Sequence, residues 1–315
     1  MAQPNRGLPF GIIIVALIAL GAVLYYFINQ VNSEIPVSTV GSTAMAATPN
    51  QGLPLHEAAE KGDAAAITSA VKAGANLEAL LDGGSKAGLT PLMCAALADQ
   101  PASVAALLTA EAKVSARGRD GKTALIYAAG WASPATVQAV LDGKPNIDER
   151  TDDRFTSLMI ASSRGDAGNI KVLIDAGADV NAKNKWGQTS VMLAARSGDG
   201  PKVRMLLAAG ANLADTDVYG MGALHHAADS SSPDAADALA AILANKPDVN
   251  IADAEGVTAL MRAADKADIA RVASLLAAGA KRDAKDKDGR TAHTWATQRD
   301  DEAGKAAGKL IADAK

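Results

Sequence analysis

The hydrophobic and polar positions of residues 184–216 predict two short helices joined by a turn. The first helix is expected over residues 191–197, where the hydroxyl of Thr189 is placed to cap the first turn. The second begins at Pro201, because a proline at the first helical position needs no N–H partner. Its apolar residues recur at i, i+3 and i+4, which gives it one buried face. A unit of this size buries too little apolar surface to fold alone, so it predicts stacking against similar units.

The same pattern recurs along most of the chain. The first apolar position of each unit recurs every 33 residues, with one interval of 36 and one of 37, at Leu55, Leu92, Leu125, Leu158, Val191, Leu224, Leu260 and His293. A threonine two residues earlier repeats in six of the units, and small residues three and four positions later allow neighbouring first helices to approach closely. Eight in-phase units predict a mainly α solenoid in which each unit contacts only its neighbours.

Two units are longer than the others. The interval from Gly74 to Gly88 has four more residues than its equivalent in the fourth unit, which predicts a longer loop after the first unit. The unit that begins at Leu224 is three residues longer than most, and we expect about one extra helical turn over residues 235–243. Four second helices are expected to begin at prolines, namely Pro101, Pro134, Pro201 and Pro233.

The period and its residues resemble the ankyrin repeat family. Residues 90–92 (Thr-Pro-Leu) and 53–56 (Leu-Pro-Leu-His) are similar to the family's Thr-Pro-Leu-His signature, and residues 176–181 (Ala-Gly-Ala-Asp-Val-Asn) are similar to its closing motif. The resemblance covers about residues 52–315, in eight units including the ends. It implies a solenoid of stacked helix-turn-helix units with finger (β-hairpin) loops between them, and it implies protein–protein contacts rather than a particular chemistry.

Residues 8–28 carry no charge, and all but one proline and two glycines are apolar. A helix of this length spans about 31 Å, close to the hydrocarbon thickness of a bilayer. We therefore expect one transmembrane helix before the repeats. The alternative is a cleaved signal peptide, but its apolar core would be shorter, and its small-x-small cleavage site would lie closer than Ala44-Met45-Ala46.

The charges beside this segment predict its orientation. Arg6 precedes it and Glu34 is the first charge after it, so the positive-inside rule places residues 1–7 in the cytoplasm and the repeats across the membrane. Residues 29–51 are rich in Ser, Thr, Asn and Ala, which is typical of a flexible tether. We expect a single-pass protein of the bacterial inner membrane with its C-terminal repeat domain in the periplasm. In a eukaryote, the same orientation places the repeats in a lumen or outside the cell.

Charge and cysteine content weigh against several classes of function. The net charge is −4, so the chain lacks the basic footprint of a nucleic-acid-binding protein. The single cysteine, Cys94, excludes an intramolecular disulfide; we expect a packed side chain, with a reactive thiol as the alternative. No nucleophile motif, phosphate-binding loop or metalloprotease helix occurs in the sequence. We therefore expect no catalytic residues, no cofactor and no small-molecule substrate.

The histidines and one acidic stretch are the only candidates for a metal site. His56 and His225 fall at the family's structural histidine position, and no spacing of Cys, His and Asp matches a metal site. Asp283, Asp286 and Asp288 suggest a calcium loop, but lysines and arginines are interleaved with them. We expect these aspartates to belong to a solvated finger, and we expect no metal.

The positions of the aromatic residues are the most informative functional signal. Aromatic residues make up 3% of the chain, and Phe155, Trp186 and Tyr219 lie in the loops that enter three consecutive units. Either these rings pack on one another along the fingers, or they form a partner-binding ridge, because exposed aromatic rings favour coverage and Trp and Tyr are common interface anchors. We predict the ridge, with partner-binding residues Phe155, Lys185, Trp186, Gln188, Arg196, Tyr219 and Met221.

Taken together, these patterns predict a non-enzymatic, membrane-anchored scaffold that binds a protein partner through its concave face and finger loops. The alternative is an inhibitor or immunity protein that neutralises a toxin or hydrolase in the periplasm. The second expected partner is the lipid bilayer, through residues 8–28, and we expect no nucleic acid.

Overall fold

A computed structural model describes residues 53–314, which form sixteen α-helices arranged as eight consecutive pairs. The helices are α1 (Leu53–Lys61), α2 (Ala64–Lys72), α3 (Pro91–Leu97), α4 (Pro101–Thr109), α5 (Ala124–Trp131), α6 (Pro134–Leu141), α7 (Ser157–Arg164), α8 (Ala167–Asp175), α9 (Ser190–Ser197), α10 (Gly200–Ala208), α11 (Ala223–Asp229), α12 (Ala235–Leu243), α13 (Ala259–Asp265), α14 (Ile269–Ala277), α15 (Ala292–Thr297) and α16 (Glu302–Asp313). One 3-10 turn, Arg119–Gly121, precedes α5. The predicted solenoid of helix-turn-helix units is confirmed.

The predicted transmembrane helix (residues 8–28) and tether (residues 29–51) lie outside the described residues. Between residues 53 and 314, no helix is both long enough and apolar enough to cross a bilayer.

From the second pair onward, the first helix of each pair begins after a threonine or glycine in extended backbone. The Thr156 hydroxyl accepts a hydrogen bond from the Met159 N–H at 3.3 Å, and Thr258 accepts one from Met261 at 3.4 Å. Thr189 also occupies the N-cap position, but its buried hydroxyl makes no hydrogen bond. Thr189 therefore lies at the predicted N-cap position, but the predicted capping hydrogen bond to its hydroxyl is not formed.

The second helices begin at the predicted places, with one exception. Pro101 and Pro134 are the first residues of α4 and α6, and Pro201 is the second residue of α10. Pro233 instead lies in a turn before α12, which begins at Ala235. Helix α12 has nine residues, as α10 does, so the predicted extra helical turn is wrong. The additional residues of this unit lie outside its helix.

Neighbouring units bury one continuous apolar core along the stack. The small pairs of the first helices, such as Ala194 and Ala195, are fully buried, as is the first apolar position of most units. Each unit is stabilised by its interfaces with both neighbours. Truncating a buried leucine such as Leu158 to alanine removes part of such an interface and should lower the free energy of unfolding by about 2–5 kcal/mol. A second, small cluster of Met159, Ala182 and Leu193 lies between the fingers and the first helices.

The fingers are single tight turns rather than the predicted β-hairpins. In the finger of residues 184–188, the Asn184 N–H donates to the Gln188 carbonyl at 3.1 Å, and the Gly187 N–H donates to the Asn184 carbonyl at 3.0 Å. The described residues contain no strand, and their one isolated bridge joins Ala252 and Thr258. The loop between α2 and α3 is longer than the others, as predicted.

Backbone hydrogen bonds join successive finger tips. The Val218 N–H donates to the Trp186 carbonyl at 2.9 Å, and the Ala254 N–H donates to the Tyr219 carbonyl at 2.9 Å. Gly220 makes this close approach possible: its φ is +77°, and a Cβ there would lie 2.8 Å from the Ala254 nitrogen. The fingers are therefore held in a fixed row beside the first helices.

Candidate functional site

Two of the three predicted ridge aromatics pack on each other. The centroids of the Phe155 and Trp186 rings lie 5.7 Å apart, with an angle of 57° between the ring planes. Phe155 also packs against the cluster of Met159, Ala182 and Leu193. Phe155 and Trp186 therefore pack on one another along the fingers, as the alternative to the partner-binding ridge expects.

Lys185 covers the outer side of this aromatic pair. Its ammonium lies 4.4 Å from the centroid of the Trp186 ring and forms an ion pair with Asp153 on the preceding finger. The Lys185 N–H also donates to the Asp153 carbonyl at 3.1 Å. Cation–π contacts at exposed sites stabilise by about 0.5–1 kcal/mol. Lys185 therefore fixes the orientation of Trp186 at the edge of the row.

Tyr219 has a different environment. It is 62% exposed, and no other ring within residues 53–314 contacts it. The adjacent Val218 is also exposed, at 61%, and is not among the predicted partner-binding residues. One signal for it was available: the equivalent tip positions hold Asp152, Lys185, Ala254 and Lys287, so a large apolar side chain occurs there in this finger alone among these five. We call Trp186, Val218 and Tyr219 the finger ridge.

The other predicted residues do not join this ridge. Met221 is only 9% exposed and points into the protein. The Gln188 side chain accepts a hydrogen bond from the Asn184 amide at 3.0 Å, so it braces its own finger. Arg196 is half-buried in the last turn of α9, on a first helix rather than on a finger. Of the seven predicted residues, Trp186 and Tyr219 belong to the finger ridge and the other five do not.

A buried carboxylate supports the exposed tip. Asp217 Oδ1 accepts the N–H groups of Tyr219 and Met221 at 2.9 and 3.0 Å, and Oδ2 lies 3.0 Å from His226 Nε2 on α11. Burial alone would raise the pKa of Asp217, but the hydrogen bonds from His226 and these backbone groups outweigh it and lower the pKa. An ionised Asp217 therefore holds the tip in one conformation.

The next two fingers use the same arrangement. Asp253 accepts from Arg262 at 2.6 Å, and Asp286 accepts from the Trp295 indole N–H at 2.9 Å. In each case the donor lies nine residues after the aspartate, on the following first helix. This spacing is the sequence signal for these finger supports. Asp286 therefore departs from the expected solvated finger: its carboxylate is buried and hydrogen-bonded within its own unit, whereas Asp283 and Asp288 are exposed.

The first helices carry a second group of aromatic residues. The Tyr127 and Trp131 rings lie 6.1 Å apart on α5. The Arg164 guanidinium lies 5.0 Å from the centroid of Trp131, and the Lys122 ammonium lies 5.9 Å from that of Tyr127. Trp131 is 39% exposed. We call these four residues the groove cluster.

The remaining candidates for chemistry have structural partners. His225 Nδ1 accepts from the Gly222 N–H, its Nε2 donates to the Val257 carbonyl, and burial lowers its pKa. Cys94 is buried, and burial raises its pKa to about 12, which keeps the thiol protonated. No group of three or more His, Cys, Asp or Glu in the described part of the chain could hold a metal ion.

The fold and these surfaces agree with comparison to known families. A family profile described as ankyrin repeats (3 copies) matches residues 55–153, 100–184 and 158–246, which together cover more than half of the chain. Ankyrin repeats generally mediate protein–protein interactions. A search of curated proteins gave no match. The chain belongs to the ankyrin repeat family.

Proposed function

We propose that this protein is a non-enzymatic scaffold that binds a protein partner through the finger ridge and the adjoining concave face. One observation carries the proposal: Val218 and Tyr219, two large apolar side chains, are each more than 60% exposed at the same finger tip. Contiguous exposed apolar surface marks interaction sites, and tyrosine and tryptophan are frequent interface anchors. Trp186, half-buried on the neighbouring finger, extends this surface.

The rigidity of the ridge supports the same function. The tip is held from below by Asp217 and from both sides by backbone hydrogen bonds to the neighbouring fingers. A surface that is already ordered loses little conformational entropy when a partner covers it. More of the contact free energy then contributes to affinity.

Charged pairs border the ridge on both sides. The Lys185–Asp153 pair lies on the side of Trp186, and the Lys287–Glu255 pair, at 3.4 Å, lies beyond Tyr219. An apolar centre with a polar rim is the usual composition of a protein–protein interface. The exposed ion pairs themselves add little affinity, but they restrict how a partner can approach.

We further infer that the repeat domain is anchored to a bacterial inner membrane and lies in the periplasm. The uncharged apolar stretch of residues 8–28 supports the anchor, and the order of Arg6 and Glu34 around it supports the orientation. The partner is then a protein of the same compartment.

Site-specific photo-crosslinking in cells tests the binding proposal. A photoreactive phenylalanine analogue is placed at Tyr219 or, as a control, at Ile269, which is 43% exposed on α14. We expect one discrete crosslinked protein from position 219 and none from position 269. Identical products from both positions, or none from position 219, would contradict the proposal. A toxin or hydrolase as the crosslinked protein would favour the inhibitor alternative.

A further inference from the structure

Most aromatic rings of the repeat domain have a cation of this chain over one face. Residues 53–314 contain six aromatic side chains. Four of them lie under a Lys or Arg, which are Tyr127 (Lys122, 5.9 Å to the ring centroid), Trp131 (Arg164, 5.0 Å), Trp186 (Lys185, 4.4 Å) and Trp295 (Arg290, 4.5 Å). Phe155 packs on Trp186 instead. Within residues 53–314, only Tyr219 has neither a cation over its ring nor a second ring beside it.

The difference comes from one position at the finger tip. Lys185 precedes Trp186, lies over its ring and forms an ion pair with Asp153 on the preceding finger. Val218 precedes Tyr219 at the equivalent position, one period later. Valine carries no charge, and both residues of this tip are more than 60% exposed. The tip therefore presents an aromatic ring without the cation that covers the ring on the neighbouring finger.

A carboxylate lies on the next finger. The Ala254 N–H donates to the Tyr219 carbonyl at 2.9 Å, which places Glu255 on the finger directly beside the tyrosine. Glu255 forms an ion pair with Lys287 at 3.4 Å, and both side chains of this pair are exposed. Exposed pairs of this kind are weak, and an ionised carboxylate has lone pairs for more than one donor. Glu255 can therefore accept a second hydrogen bond while Lys287 stays in place.

We propose that the finger ridge binds an arginine or lysine side chain of the protein partner, with the cation over the Tyr219 ring, the alkyl stem against Val218 and the N–H groups directed at Glu255. The face of an aromatic ring attracts a cation, and a guanidinium that stacks on a ring keeps its in-plane donors free for a carboxylate. An acidic side chain would be repelled by both groups. The proposal rests on the proposed function, because it specifies the chemistry of the partner segment at the same ridge.

Peptide binding to the full-length protein in detergent tests this charge preference. The probe is a fluorescein-labelled peptide of alternating Arg and Leu. Its comparison peptide has citrulline at every Arg, which keeps the planar shape and removes the charge. We expect the Arg peptide to bind at least about 5-fold more tightly, with a difference that shrinks as salt is raised. Fluorescence anisotropy gives both affinities. Equal affinities, or no binding of the Arg peptide, would overturn the proposal.

Two substitutions at one position assign the preference to the ring. Tyr219→Phe keeps an aromatic face and should retain the preference for the Arg peptide. Tyr219→Leu keeps an apolar side chain but removes that face, and the preference should fall to about 2-fold or less. An unchanged preference in Tyr219→Leu, or its loss in Tyr219→Phe, would refute a cation bound over the ring.

A second pair of variants tests the carboxylate. Glu255→Gln should weaken the Arg peptide by about 3-fold and the citrulline peptide by less. The matched control, Glu57→Gln, removes a similarly exposed glutamate of α1 that pairs with Lys61 at 3.3 Å, and it should bind as the wild type does. Equal weakening in both variants would show a general charge effect and refute the role of Glu255.

The failure of this proposal is distinguishable from the failure of the proposed function. Crosslinking from position 219 reports whether a protein covers the ridge, whatever its charge. A discrete crosslinked partner together with equal affinities for the two peptides would leave the ridge in place and reject its preference for a basic segment.

Discussion

The Phe155 and Trp186 rings lie on consecutive fingers with their centroids 5.7 Å apart, whereas Tyr219, one period later, is 62% exposed. The equal spacing of Trp186 and Tyr219 in the sequence therefore does not mean equal environments. Trp186 has a phenylalanine on the preceding finger and a lysine over its face, and Tyr219 has neither. Trp186 contributes to folding and to the ridge, while Tyr219 is available chiefly for binding.

This difference predicts unequal stability effects. Trp186→Ala should lower the free energy of unfolding by about 1–2 kcal/mol, because it removes a partly buried ring and an aromatic pair. Tyr219→Ala should change it by no more than about 0.5 kcal/mol. Urea unfolding of both variants gives the comparison. Equal losses would show that Tyr219 packs as Trp186 does.

The pair of His226 and Asp217 should be important for stability. His226→Leu leaves the buried Asp217 carboxylate with backbone donors alone, and we expect a loss of about 3 kcal/mol. Adding Asp217→Asn to that variant removes the uncompensated charge and should recover part of the loss. Urea unfolding of the two single variants and the double variant measures the coupling. Strictly additive losses would mean that the two side chains do not interact.

Acidification should destabilise the protein through His225. Burial holds the folded-state pKa of His225 below its usual value near 6.5, so its contribution to stability is present above that pH and is lost as pH falls below it. The same proton would remove the acceptor for the Gly222 N–H. The melting midpoint should fall less between pH 7 and pH 5 for His225→Gln than for the wild type. An equal fall in both proteins would exclude His225 as the cause.

Topology can be tested by reporter fusion. A reporter that is active only outside the cytoplasm, fused to the C-terminus, should be active, because Arg6 precedes the apolar segment and Glu34 follows it. A cytoplasm-restricted reporter at the same position serves as the control. Activity of that control alone would reverse the orientation. A mature form that lacks residues 8–28 would instead identify the segment as a cleaved signal peptide.

The repeat pattern predicted most of the fold because each unit is specified by local signals. Threonine caps, prolines and small pairs place the helices within a residue or two of their observed bounds. The longer first finger could be predicted because its extra residues lie between two glycines that recur in other units. The extra helical turn predicted for α12 is wrong, because the number of residues between equivalent positions cannot distinguish a longer helix from a longer turn. Helix α12 has nine residues, the same length as α10, and the added residues lie in the turns around it.

The candidate site was harder to predict because it depends on contacts between units. Exposure of Val218 follows from the position of its finger in the row, and the stacking of Arg164 on Trp131 follows from close packing at Gly130. Neither relation has a signature within one repeat. Met221 was predicted to bind the partner because it lies next to the ridge in sequence, but the turn points its side chain inward.

The most direct test is the affinity of the purified partner, once it is identified by crosslinking at position 219. It is measured by calorimetry for the wild type, for Val218→Ser with Tyr219→Ser, and for the control Ile269→Ser. Truncating interface anchors typically costs about 2 kcal/mol or more, so the ridge variant should bind at least about 30-fold more weakly, with an unchanged melting midpoint. The control should bind as the wild type does. Equal affinity for all three proteins would contradict a partner-binding finger ridge.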